Sequence, residues 1–384
     1  MMRKIHLLVL FAYLLIALIM SYPLVLQFAS AIPGDGFDGW QNYWNLWWVK
    51  KALLEEHTSP YFTDYLYYPT GVSLLFHTLN PFNGLITLPV QLLFGLTVAY
   101  NVVVIFSFVM AAYGTFLLAK YVLVQGGQQP AASSKQAFLT AFVAGLIYAF
   151  SPFHFAHLLG HMQVFSLEWV PFFALYLLRI TNHETRINGG GSLRQALVAC
   201  SLVLILASLC DWYQTFYLGI FTALYLLWLW RRKALTGGVF LRVGAVFVPF
   251  AILLSPLLMP MVMEAVHYNY MVMPLQHLEL LSADLLAFFT PSEFHPLWGR
   301  WAGKLASHFT ASLSERTVFL GYVPLILAGT ALWKRWRDEN TRFWFLVGVV
   351  FFVLALGPVL HIGGQTEFTP WKLRIPLPYA LLQH

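Results

Sequence analysis

The sequence predicts an all-α, polytopic transmembrane helical bundle of about nine spans. Three observations carry that prediction. Composition comes first: of 384 residues, 59% are hydrophobic and 10% charged, with a mean hydropathy of +0.68. Average globular chains carry about 25% charge, and a lipid-facing surface is what dispenses with it. Second, apolar stretches of spanning length, or nearly so, recur along the chain with short polar connections between them. Third, if the N-terminus is inside, the inside connections collect most of the 22 Lys and Arg residues. That is the bias the positive-inside rule expects of short loops. The net charge of +6 is scattered between apolar segments and reports topology, so no nucleic-acid partner is expected.

The predicted spans are 7–28, 98–122, 138–155, 164–178, 196–209, 212–230, 239–261, 318–333 and 343–360. Several are shorter than the roughly 20 residues of an untilted crossing, so their ends should extend into polar flanks. Arg3-Lys4, an apolar run and Ala29-Ser30-Ala31 also resemble a cleavable signal peptide. The apolar residues continue to Phe28, though, which is longer than such a leader needs. The piece 82–94 contains Pro89 and suits a re-entrant or interfacial segment. Cys200 and Cys210 share one stretch, where ten residues of helix hold them about 15 Å apart, beyond disulfide reach. One integral membrane domain over residues 1–384 is expected, with outer loops at about 29–81 and 262–316. The chain stops just after Pro376-Leu377-Pro378, which should open another element, so a fragment or a short homologue is expected.

The first outer loop carries the most chemistry. In Ile32-Pro33-Gly34-Asp35-Gly36-Phe37-Asp38-Gly39 two carboxylates run among three glycines, which let the backbone bend and approach a ligand. Trp40, Trp44, Trp47 and Trp48 then recur at i, i+4, i+7 and i+8, predicting an outer-loop interfacial helix with one aromatic face. Asp38 fits an N-cap with Gln41 three residues on. Asp35 has no such partner, and is read as a general base or metal ligand, or else as a solvated turn residue.

Other candidates lie further along. On one continuous helix His154, His157 and His161 would share a face, with His157 and His161 close enough for one ion or a phosphate. Hydrogen bonding at the interface is the plainer fate. Glu168 sits inside an apolar run, where a carboxylate should face a polar cavity or a partner. Asp211 reads as a turn or helix cap before Trp212. Arg300, Lys304 and Arg316, with Lys372 and Arg374, lie outside against the charge rule, where cations can hold a phosphate or contact headgroups. A phosphate-binding Gly-Lys-Ser/Thr loop, a Gly-x-Ser-x-Gly elbow and a His-Glu-x-x-His site are all missing from the sequence, so ATP-driven transport is not expected.

The layout resembles the GT-C superfamily of membrane glycosyltransferases. In residues the likeness rests on Pro33-Gly34-Asp35-Gly36-Phe37-Asp38 and the helix 40–57. Tyr67-Tyr68-Pro69-Thr70-Gly71, Phe150-Ser151-Pro152-Phe153-His154 and Pro291-Ser292-Glu293 resemble uncharacterised bacterial members. The resemblance implies transfer of a sugar from a polyprenyl-phosphate carrier to a glycan, lipid or protein acceptor on the extracytoplasmic side. It places the general base at Asp35, with Asp38 as runner-up. His157, His161, Arg300, Lys304 and Arg316 would bind substrate. Many family motifs have adjacent acids or one intervening residue, whereas two separate them here. No metal-ligand spacing is secure, although a divalent cation (Mg or Mn) would suit the acids. The expected place is a bacterial plasma membrane, with the N-terminus cytoplasmic and the site outside. A transporter or flippase of a lipid-linked saccharide is the reading from another class.

Overall fold

A computed structural model describes residues 2–34, 36, 38–125, 134–182, 192–368 and 372–382. The chain is mostly helical. In order come α1 (Met2–Met20), α2 (Asp38–Lys50), α3 (Pro81–Ile86), α4 (Leu88–Phe94), α5 (Leu96–Gln125) and α6 (Ser134–Ala149). Next are α7 (Pro152–Leu158), α8 (Met162–Phe165), α9 (Trp169–Thr181), α10 (Leu193–Cys210), α11 (Trp212–Arg231) and α12 (Gly237–His267). The last are α13 (Leu275–Leu280), α14 (Gly299–Ala306), α15 (Leu313–Arg316), α16 (Tyr322–Arg335) and α17 (Glu339–Ala355).

Every predicted span contains helix. Among the described residues, four helical segments are long and apolar enough to cross a membrane: Leu96–Leu123, Met162–Thr181, Leu193–Cys210 and Gly237–His267. The predicted count of nine rested on apolar length, and backbone breakers shorten several of those stretches. Helix α1 ends at Met20, ahead of Pro23, and α6 stops before the Ser151-Pro152 step. Helix α16 opens only after Gly321 (φ +85°), and α17 stops before Gly357 (φ +75°) and Pro358. Proline disfavours helical geometry in the residue before it, and glycine accepts the positive φ that ends a helix. The piece 82–94 is two short helices, α3 and α4, parted at Thr87, too short to span.

The chain divides into two compact units. The first holds Met1–Ala149 and Leu158–Asn269, the second Phe150–His157 and Tyr270–His384. In the first, α5 packs against α1, α2, α4, α6 and α9. Small residues make that possible: Ala99, Ala111 and Ala112 are fully buried, and a Cβ at Gly145 would stand 2.5 Å from the Ala112 carbonyl oxygen. Close backbone approach is how helices associate where lipid removes the hydrophobic drive. The Tyr13 ring stacks on Phe142 at 4.6 Å, and its hydroxyl donates to the Phe142 carbonyl (3.0 Å).

Residues 38–79 fold on their own small core. Helix α2 has Asp38 in its first turn and Lys50 in its last, matching the helix dipole. It runs on into a π turn at Lys51–Glu55. An antiparallel pair, β1 (Phe62–Thr63) with β2 (Val72–Ser73), covers it in register Phe62 to Ser73. The tryptophan face is therefore not all surface. Trp40 is 58% exposed, but Trp48 is only 1% exposed, packed with Val49, Ala52, Leu74 and Leu79. Its indole donates to the Pro60 carbonyl (2.9 Å) and stacks on Trp44 at 5.7 Å. Trp47 meets Tyr65, and the Lys51 ammonium sits over both rings. Helix α2 is also pinned by neutral amides. Gln91 donates to the Leu46 carbonyl (3.1 Å), and Asn45 to the Thr78 carbonyl (2.8 Å). Uncharged amides satisfy buried carbonyls without the cost of burying a charge.

His77 closes this core, its Nε2 meeting the Asn45 Oδ1 at 3.0 Å. Because Oδ1 accepts, Nε2 carries the proton in the neutral ring. Burial holds the imidazole below its ordinary value of 6.5. A depressed histidine leaves stability intact above the unfolded value and withdraws it as pH falls toward the folded one. Amide exchange of residues 59–79 is accordingly expected to quicken as pH drops below about 6.5, after correction for intrinsic rates. His77→Gln, which cannot ionise, should flatten that dependence.

The second unit is built on two small clusters. Ala283, Phe288 and Leu356 form one, Ala287, Ala306 and Phe309 the other. Asp284, almost fully buried, ties them: its carboxylate accepts from the amides of Leu286 (2.9 Å) and Gly364 (2.7 Å).

Candidate acid–base site

Two sequence motifs far apart in the chain meet in the first unit. The turn Leu159-Gly160-His161, between α7 and α8, lies directly against Gly34 and the start of α2. A Cβ at Gly34, whose φ is +146°, would stand 2.8 Å from the Leu159 carbonyl oxygen. A Cβ at Gly160 would stand 2.9 Å from the Gly39 nitrogen and 3.2 Å from the Asp38 Cβ. Only glycine fits either place without a shift. Asn42, 2% exposed, locks the junction by donating to the Asp38 carbonyl (3.0 Å) and to the Gly160 carbonyl.

That packing sets the Asp38 Oδ2 2.9 Å from the His161 Nε2. The carboxylate is 54% exposed and the imidazole 22%. An ion pair this open is worth roughly 0–1 kcal/mol, so stability does not account for it. A half-open carboxylate steadied by an imidazole can accept a proton from a hydroxyl placed within about 3 Å. The expected capping box does not hold both side chains at the helix end. The Gln41 amide nitrogen donates to Thr78 Oγ1 (2.8 Å), and the Asp38 carboxylate points to His161. Asp35 lies outside the described residues.

The three histidines do not share one continuous helix. Helix α7 ends at Leu158, and His161 is the residue that opens α8. His154 is fully buried, and its backbone amide meets the Ser151 hydroxyl (3.3 Å). His157, in the second unit, is 2% exposed with its ring against Phe153 at 4.3 Å. Glu315 of the same unit brings a carboxylate oxygen within 4.8 Å of a His157 ring nitrogen.

The cations of these segments separate into two groups. Arg316 is taken by Glu293 (2.8 Å) and Arg374 by Glu279 (2.6 Å), while Lys50 and Lys51 pair with Glu55. Arg300 and Lys304, four residues apart on α14, are exposed, and among the described residues neither enters an ion pair. They are the pair best left for an anion. Asp211 caps α11 as read, accepting from the Tyr213 amide (3.0 Å). Cys200 and Cys210 are free and buried.

Sequence reasoning missed Asn42 and Gly160. Asn42 and Asn45 lie three apart on α2, a faint sign that this face meets protein. The role of Gly160 follows only from what stands opposite it. Gly160→Ala is expected to lower any Asp38-dependent turnover roughly 10- to 100-fold, because displacements well under 1 Å spoil proton-transfer geometry. Steady-state rates beside a thermal melt would check this.

No curated protein and no solved structure matches the chain. A family model described as "Domain of unknown function (DUF6311)" matches residues 9–383, and the chain belongs to that family.

Proposed function

We propose that this protein is a membrane glycosyltransferase of GT-C type. It moves a sugar from a polyprenyl-phosphate carrier to an extracytoplasmic glycan, lipid or protein acceptor, with an acid of the 33–39 loop as base. The observation that carries the reading is the Asp38–His161 pair at 2.9 Å, held on a glycine-lined junction. It brings Asp38 forward as the base, beside Asp35, which the resemblance put first. An inverting displacement needs one placed base and a stabilised leaving group. On the second unit, Arg300 and Lys304 are open to an anionic headgroup. In this reading the nine apolar stretches are the spans of a bacterial plasma-membrane protein, and α2 lies along the outer surface with Trp40 toward the headgroups.

The test is to incubate the purified protein with a panel of radiolabelled polyprenyl-phosphate sugars and score sugar release. No release from any member, by protein that melts cooperatively, would end the transferase reading. A second reading, a transporter or flippase of a lipid-linked saccharide, is favoured by one observation. Glu168 is fully buried at a break between α8 and α9, inside the apolar segment Met162–Thr181, where ionisable residues mark transport pathways. Movement of a fluorescent carrier lipid across vesicles without sugar release would select it.

A further inference from the structure

The break that holds Glu168 carries an excess of hydrogen-bond acceptors. Helix α8 stops at Phe165, α9 begins at Trp169, and residues 166–168 between them are not helical. The Glu168 side chain is fully buried; Ser107 donates to its Oε2 (2.6 Å), and Oε1 has no donor. Two amides from other helices are anchored on the same segment through their nitrogens. Asn83 donates to the Ser166 hydroxyl (2.8 Å), and Gln214 to the carbonyls of Ser166 (3.0 Å) and Gln163 (2.9 Å). That use of the nitrogens leaves Asn83 Oδ1 and Gln214 Oε1 buried and without a donor, as is Gln163 Oε1, against one buried donor without an acceptor, the Trp169 indole N–H. Glu168 enters no ion pair among the described residues.

A single water offers only two protons, and a proton on Glu168 offers one. Neither satisfies four oxygens. A cation differs from both, because it can take lone pairs from several oxygens at once. Charge selects its class. One carboxylate among neutral oxygens balances one positive charge, whereas a divalent ion would leave a net charge in an apolar surround. Hard oxygen donors at an unwound stretch of a membrane helix suit a small monovalent ion.

We propose that the break at residues 163–168 is a binding site for a monovalent cation of the sodium class, with Glu168 as its charged ligand and Asn83, Gln163 and Gln214 as neutral ones. The site is independent of the transferase reading and is tested without any sugar substrate.

The experiment is a thermal melt of the full-length protein in detergent, titrated with NaCl, LiCl or KCl at ionic strength held constant with choline chloride. A saturable rise is expected with at least one of the small cations, roughly 5 °C at a hundredfold excess over its midpoint. Glu168→Gln keeps the shape of the side chain and should lose the saturable rise. Gln214→Leu should move the midpoint to about tenfold higher cation, the loss of one neutral ligand. Calorimetric titration of the unaltered protein with NaCl gives a second readout should Glu168→Gln fail to fold. Equal melts in all four salts, with no calorimetric binding, would overturn the site. So would a melt that follows pH and ignores the cation, which would give Glu168 a bound proton instead.

Discussion

Asp38→Asn is expected to reduce sugar release by roughly 10²–10⁴-fold, the span that loss of a general base produces, while the thermal melt stays nearly unchanged. Both halves follow from exposure. A carboxylate 54% open to solvent, paired to an imidazole 22% exposed, contributes little to folding, so its removal should be silent in stability. The same openness lets an acceptor reach it. His161 should respond in graded fashion. His161→Ala removes the ring that fixes the carboxylate and should cost about 100-fold. His161→Gln can still donate from an amide and should recover part of that loss. A bulk structural role would not distinguish the two substitutions. Asp35→Asn is the necessary companion, three residues upstream on the same loop. If Asp35→Asn abolishes release and Asp38→Asn is silent, the base is Asp35 and the observed pair only positions the loop.

The broad class of the fold was legible because it depends on composition and on apolar runs, both local. The ends of the spans were less so. Residues 7–28 and 343–360 read as continuous apolar stretches, and Pro23 and Gly357 cut them short through backbone geometry that hydropathy does not register. Caps were legible only where no distant partner competes for the side chain, as Thr78 and His161 do for Gln41 and Asp38. Asp211 before Trp212, read as a cap, is one case. The Asp38–His161 pair was not legible as a pair, although each residue had been singled out. Their separation is 123 positions, and nothing in either motif encodes the other. What a single sequence could offer was a glycine in each motif, and glycine marks a close approach without naming what approaches.

The tryptophan helix shows the same limit at shorter range, and it yields the largest stability effect expected for this chain. Periodicity placed Trp44 and Trp48 on one face of α2, but it could not say whether lipid or protein covers that face. The hairpin and turns of residues 59–79 cover it, leaving Trp48 1% exposed with its indole on the Pro60 carbonyl. Trp48→Ala should therefore cost about 3–5 kcal/mol, seen as a lowered and broadened melt. Trp40→Ala, at a position 58% exposed, should cost under about 1 kcal/mol and weaken lipid partitioning instead. Trp48→Phe separates packing from the hydrogen bond, keeping most of the buried ring while freeing the Pro60 carbonyl, for a loss of about 1–3 kcal/mol. Helix α2 begins at Asp38, so loosening Trp48 should also lower the transfer rate, by less than Asp38→Asn does and recoverably on cooling. Equal stability losses at Trp40 and Trp48 would mean that the whole aromatic face meets lipid, as periodicity alone suggests.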